Sequence, residues 1–216
     1  MHGFDNEMAH LRKDVSFEKA RSGAMVADPL TLYDCCPTSD GASAVILVAD
    51  HLAHQFTDTP IWVKGSGAGS DKLALHDRPS LTQLRATQLA SQKAYSLANL
   101  QPHQIDLAEV HDCFTIAEVL ATEDLGFAGR GEGGLFARNG QGRRNEGDVA
   151  INASGGLKSK GHPLGATGTG QAVEVFKQLR HEVESTRQVR DAEIGLTHNV
   201  GGSGATCAVH IFGRER

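Results

Sequence analysis

The sequence predicts an α/β fold: a mostly parallel sheet with helices on its faces, in the order β-α-β-α-β-α-β-β from residue 61 onward. Three observations carry this expectation. Short apolar runs that suit strands alternate with segments of helical period. The last two strands, 194–199 and 205–212, are joined only by 200–204, too short for a crossover, so they are antiparallel neighbours. Glycine is abundant, 25 of 216 residues, and clusters between the periodic segments, where backbone comes close to something.

The elements follow in order. Residues 1–34 are polar and mixed, with one short helical piece at 16–21. The apolar run at 41–49 is long enough for a strand covered on both faces, and a short helix follows near 50–56. Pro60 marks a boundary. A strand begins at 61–64 and runs into Gly65-Ser66-Gly67-Ala68-Gly69. Ser80 is placed to cap the next helix, with Gln83 completing a capping box; Ala86, Leu89, Ala90, Ala94 and Leu97 share one face. Residues 107–111 read as a strand and 114–125 as a helix stopped by Gly126. The Gly- and Arg-rich stretch 129–148 reads as a long surface loop. A strand at 149–152 leads through the loop 154–165 to a helix beginning near Leu164, whose Ala172, Val175, Phe176, Leu179 and Val183 form one apolar face.

Composition removes several function classes. Hydrophobic residues are 39% and charged residues 22%, which is globular usage and argues against disorder. A net charge of -5 argues against a nucleic-acid binder. No apolar run approaches the roughly 18 residues of a membrane span. Neither end carries a recognisable address, so a cytoplasmic location is expected. Cys35 and Cys36 are adjacent while Cys113 and Cys207 stand alone, which fits neither a disulfide framework nor zinc spacing; no metal is expected. Cys207, flanked by strand residues, reads as core. Arg130, Arg138, Arg143 and Arg144 form either a phosphate-facing patch or a solvated loop. The glycine-rich segments fail both the dinucleotide and the Walker patterns.

The chemistry gathers in three loops that each follow a strand and therefore share one edge of the sheet. They hold His111-Asp112-Cys113-Phe114, the run from Asn152 to Gly165 containing His162, and His198-Asn199-Val200-Gly201-Gly202. Two histidines and a cysteine converging there can serve as acid, base and hydrogen-bond donors. Cys113 and His162 each precede a helix, whose N-terminal field favours a thiolate or an oxyanion.

EVHDCF (109–114), NASGGLKSKGHPLGATG (152–168) and HNVGGSGAT (198–206) resemble, in order and spacing, the C-terminal half of a thiolase, and MVADPLTLYDCCPTSDGASAVIL (25–47) extends the likeness. The subgroup is similar to the sterol-carrier-protein type and its archaeal and bacterial relatives, where HDCF replaces NEAF. The resemblance implies a thiolase-like half with a mixed five-stranded sheet at 60–216, and 1–59 as a remnant of the N-terminal half. It implies that His162 activates a nucleophilic cysteine and binds the thioester oxyanion, that His111 holds a water in that hole, and that Cys113 moves the proton alpha to the acyl carbonyl. Asn199 stands where ordinary thiolases carry that base, and Gly201 and Gly202 supply backbone around a second oxyanion. Ser154, Gly155 and Phe114 are implied substrate contacts. The substrate is a coenzyme A thioester, and no covalently bound cofactor is implied.

One departure shapes the functional expectation. The acyl-accepting cysteine of a thiolase lies in the first half, and neither Cys35 nor Cys36 matches it. The expectation is therefore a chain inactive alone, acting as a homo-oligomer or with a chain that supplies the missing half. The alternatives are a non-catalytic acyl-CoA or lipid-binding module and a structural subunit. Without its other half, the molecule should expose apolar surface and associate.

Overall fold

A computed structural model describes residues 2–216. The described residues begin with a 3-10 turn, His2–Asp5, tied to a segment distant in sequence: the His2 ring bonds the Ile151 carbonyl at 3.0 Å. Helix α1 (Phe17–Arg21) is capped by Ser16, whose hydroxyl accepts from the Lys19 N–H at 3.2 Å. A small hairpin, β1 (Met25–Ala27) and β2 (Leu30–Thr31), follows.

The apolar run at 41–49 is a correction. It forms no strand, and Ile46 and Leu47 are 89% and 78% exposed. Its composition suits a doubly covered strand, but all five strands of the main sheet begin at Trp62 or later, and none pairs with it. A 3-10 turn, Asp50–Gln55, stands where the short helix was expected.

The main sheet contains β3 (Trp62–Ser70), β4 (Leu107–Glu109), β5 (Ala150–Ile151), β6 (Ile194–Gly201) and β7 (Thr206–Gly213), in spatial order β3-β7-β6-β4-β5. β6 and β7 pair antiparallel as the short link requires. β3 is also antiparallel to β7, while β4 is parallel to β5 and β6. The sheet is thus evenly mixed rather than mostly parallel: the chain places β3, the first of the five, beside the last.

Between the strands lie α2 (Arg85–Ala98), α3 (Thr115–Asp124), α4 (Gly133–Arg138), α5 (Gly156–Lys160) and α6 (Thr167–Leu179). Side chains alternate across the strands. Ala108, Leu196, Val209 and Ile211 therefore pack against α2 and α3, whereas Leu107 and Ala150 pack with Val175 and Leu179 of α6 on the other face.

The glycines of β3 explain the closeness of α2. A Cβ on Gly65, Gly67 or Gly69 would fall on the carbonyl oxygens of Ala94, Ala90 and Ala86 respectively. Glycine at every second residue of the strand thus meets alanine at every fourth residue of the helix. Of the face expected for α2, Ala86, Ala90 and Ala94 are buried, but Leu89 and Leu97 are 40% and 61% exposed, and the start also differs. The helix begins at Arg85, and the Ser80 hydroxyl instead accepts from the Thr82 N–H at 3.2 Å.

Residues 129–148 are also more ordered than expected, because α4 buries Phe136 to 3% exposure against Ile151 and its neighbours. Three arginines expected there as a phosphate patch or a solvated face are paired with carboxylates: Arg130 with Glu123, Arg143 with Glu146 and Arg144 with Asp5. Among the described residues no helix is long and apolar enough to cross a membrane, and no group of acidic, histidine and cysteine side chains is arranged to hold a metal.

Candidate active site

β4, β5 and β6 run parallel, so the loops that leave their C-terminal ends emerge side by side. This brings the two histidines together. The His111 and His162 rings stand edge to face, with centroids 4.8 Å apart and planes at 87°. They come from segments 51 residues apart in sequence, and only the parallel register unites them.

His162 lies between α5 and α6. Its Nδ1 is 2.7 Å from Thr167 Oγ1, and that hydroxyl also lies 3.1 Å from the Pro163 carbonyl. The carbonyl can only accept, so it takes the single hydroxyl proton. The hydroxyl oxygen then accepts from His162 Nδ1–H, which leaves Nε2 with its lone pair outward. That is the form a general base requires. α6 begins at Thr167, three residues later than expected, so His162 precedes the helix by a full turn and is oriented through Thr167.

His111 is nearly buried, and its Nδ1 has no partner. Burial, reinforced by the neighbouring His162, depresses its pKa to about 4, so it is neutral at neutral pH. Beneath it lies His198, fully enclosed. His198 Nδ1 faces the His111 backbone N–H at 3.4 Å, and Nε2 is 3.0 Å from Thr87 Oγ1. With Nδ1 as acceptor, Nε2 carries the proton toward Thr87. His198 therefore braces the backbone at His111 from α2.

Cys113 stands one residue before Phe114, the N-cap of α3, but the helix end does not set its acidity. Burial, helped by the charge of Cys36, pushes its thiol up to about 11, overriding the expected stabilisation of a thiolate. The segment containing Cys35 and Cys36 crosses over it: Cys35 bridges Phe114 antiparallel, and the Cys36 N–H donates to the Cys113 carbonyl at 2.9 Å.

A layer of buried carboxylates holds these loops. Asp112 accepts from the Leu157 N–H at 2.7 Å, capping α5, and a side chain at Gly156 would collide with that carboxylate. Burial, then the Glu118 charge, raises the Asp112 pKa to about 7. Asn152 accepts from the Val110 N–H at 2.8 Å and donates to Glu118 at 3.0 Å. Glu109, fully enclosed, takes the Ser154 hydroxyl at 2.5 Å and the Ser154 N–H at 3.0 Å, with Lys160 at 3.5 Å. This corrects the expectation for Ser154, whose hydroxyl is committed to Glu109 in the interior and is unavailable to a substrate.

The remaining expected residues are placed as follows. Asn199 Nδ2 donates to Gln171 of α6 at 3.2 Å. Gly201, the last residue of β6, and Gly202, in the β6–β7 turn at a positive φ of 52°, are exposed. Gly155, also at positive φ, lines a cavity of about 860 Å³ together with Cys35, Cys36, Lys158 and Phe136. Phe114 is 40% exposed beside Cys113. Cys207 is buried in the core, as its setting predicted. Sequence reasoning did not single out Thr87 or Glu118, and it gave no role to Glu109, Asp112, Thr167 or His198, which it met only within the quoted loops and motifs.

The strand ends of this α/β half thus present a histidine pair with a thiol two residues from one of them. Comparison with known proteins shows the family. Residues 67–214 match the family described as thiolase C-terminal domain-like. An acetyl-CoA acetyltransferase of Methanothermobacter thermautotrophicus is 53% identical over 210 residues, spanning 97% of this chain and 54% of that protein. A sterol carrier protein 2 of Bos taurus is 35% identical, covering 94% of this chain and 38% of its own length. A benzoylsuccinyl-CoA thiolase subunit BbsB of Thauera aromatica is 33% identical, covering 93% and 52%. The solved structure described as an Ltp2-ChsH2(DUF35) aldolase superposes with a TM-score of 0.86 at 24% identity, over 100% of this chain and 56% of that one, which establishes the shared fold. The chain belongs to the thiolase family through its C-terminal domain. It spans about half the length of the first two of these relatives, or less.

Proposed function

We propose that this chain is the C-terminal catalytic half of a thiolase-like acyltransferase, which joins or cleaves acyl-CoA thioesters once a first half supplies the acyl-accepting cysteine. Residues 60–216 are the C-terminal domain in this reading, and 1–59 the tail of the first half. The observation that carries it is the meeting of His111 and His162 beside Cys113 at one edge of the sheet.

The roles are those the thiolase resemblance implies, and the geometry supports them. His162, with its Nε2 lone pair outward, takes the proton of the incoming cysteine and then, as N–H, donates to the thioester oxygen. His111 stays neutral and offers its unpartnered Nδ1 to a water at that oxygen. Cys113, held protonated by its surroundings, gives its proton to a developing carbanion and removes it in the reverse direction. Asn199 and the turn at Gly201 and Gly202 border the second oxyanion position. Gly155 and Phe114 line the substrate approach. Coenzyme A thioesters are the substrates, and the partner is another copy of this chain or a chain that supplies the first half.

Complementation tests this. The part of the archaeal relative that this chain does not match is co-expressed with it, and acetoacetyl-CoA thiolysis is followed. The reading predicts turnover by the complex, none by the chain alone, and a loss of roughly 10²–10³ in kcat for His111→Ala. Steady turnover by the purified chain alone would refute it. So would an assembled complex whose activity ignores His111 and His162.

A further inference from the structure

We propose that Cys36 and Cys113 form a reversible intramolecular disulfide, so that this edge of the site reacts with low-molecular-weight disulfides. The backbone already holds the pair in position. Cys35 and Phe114 are opposite one another in an antiparallel bridge, and one step along each strand places Cys36 opposite Cys113. The Cys36 N–H donates to the Cys113 carbonyl at 2.9 Å, which marks this as a hydrogen-bonded cross-strand pair. In such pairs the Cα atoms lie about 5.5 Å apart with side chains on one face, inside the roughly 4.4–6.8 Å that a disulfide spans, while the Cβ atoms, at the wide end of about 4.5–5.5 Å, must close toward the roughly 3.5–4.5 Å of a disulfide, which makes the bond strained and easily reduced.

The neighbouring thiol is excluded by the alternation of side chains along an extended strand. Cys35 points to the opposite face, where its Sγ lies 3.5 Å from the Thr31 carbonyl. Cys36 and Cys113 are both half-buried, so reagents can reach them, whereas Cys207 is enclosed in the core. Burial and then the Asp112 charge raise the Cys36 thiol, with Lys158 opposing them only in part, so the exchange runs through a small thiolate fraction and is followed at mildly alkaline pH.

The reaction balances as thiol–disulfide exchange. One of the two thiolates attacks a small disulfide RSSR, forming a protein mixed disulfide and releasing RS⁻. The second protein thiolate attacks the protein sulfur of that mixed disulfide and expels the other RS⁻. Two protein thiols are oxidised and one RSSR becomes two RSH, which take up the two protons lost by the protein. The consequence for activity rests on the proposed role of Cys113: in the disulfide it carries no proton to give or take.

The test separates bond formation from that role. The full chain is incubated with oxidised glutathione, quenched with an alkylating reagent, and mapped by tandem mass spectrometry. The expected product links Cys36 to Cys113, with Cys35 and Cys207 alkylated. Dithiothreitol should reverse it, Cys35→Ser should retain it, and Cys36→Ser should stall as a glutathione mixed disulfide on Cys113. A Cys35–Cys113 or Cys35–Cys36 link as the main product, or two alkylated thiols after oxidation in folded protein, would overturn the proposal. None of these readouts depends on thiolase activity.

Discussion

At the scale of single residues, the site depends on proton placement. His111 and His198 both lose affinity for protons because burial penalises the imidazolium, to about 4 and about 3 respectively. Both are therefore neutral at pH 7 and gain charge only in acid. Unfolded, each would protonate near 6.5, so each withdraws stability as pH falls from about 6.5 toward its folded value, by up to about 1.4 kcal/mol per unit. Asp112, raised to about 7, acts in the opposite sense, because below that pH the folded carboxyl holds a proton that the unfolded chain has released. Bulk stability therefore blends these effects, and individual resonances are the better readout. The His111 and His198 ring signals in NMR should not titrate between pH 8 and 5.5, and Thr167→Val should change the His162 tautomer populations. A His111 midpoint near 6.5 would contradict the assigned burial.

The principal residues of this edge were legible because strand-following loops carry sites and because GHP and HDCF stand out in sequence. Their supports were not. Thr87, His198 and Glu109 act on the site through backbone amides or through one another, across separations such as the 111 residues between Thr87 and His198. A buried polar side chain has no periodic signature. Asp112, next to His111, and Thr167, five residues after His162, were within reach.

At the scale of elements, the strand–helix alternation was readable from apolar period, and the β6–β7 hairpin from link length. β3 shows both what is legible and what is missed. Its glycines resemble a loop by composition, yet their spacing of two against alanines spaced by four marks a strand pressed onto a helix. Gly67→Val should force α2 away from β3 and destabilise the fold by roughly 1–3 kcal/mol or more, measured by urea denaturation. A variant as stable as the parent would show that this contact has room to spare. The run at 41–49 misled for a physical reason: periodicity reports what a segment is fit to bury, and burial needs a partner.

At the scale of the molecule, the exposed surface is informative. One face of β3 and β7 packs on α2, while α6 lies mainly against β6 and β4. Val45, Ile46, Leu47 and Val48 are 45%, 89%, 78% and 39% exposed in a contiguous run. Such runs are costly in water and mark association. Sedimentation of the purified chain should show concentration-dependent oligomers, and a monodisperse monomer across the micromolar range would oppose this.

The most direct measurement of the central claim concerns Cys113 in a complex complemented with a first half. With acetyl-CoA, the Cys113→Ala complex should still acetylate the partner's nucleophilic cysteine, visible as an acetyl adduct by mass spectrometry, yet form no acetoacetyl-CoA. His162→Ala should lose both steps. Condensation at the parent rate by the Cys113→Ala complex would contradict the account.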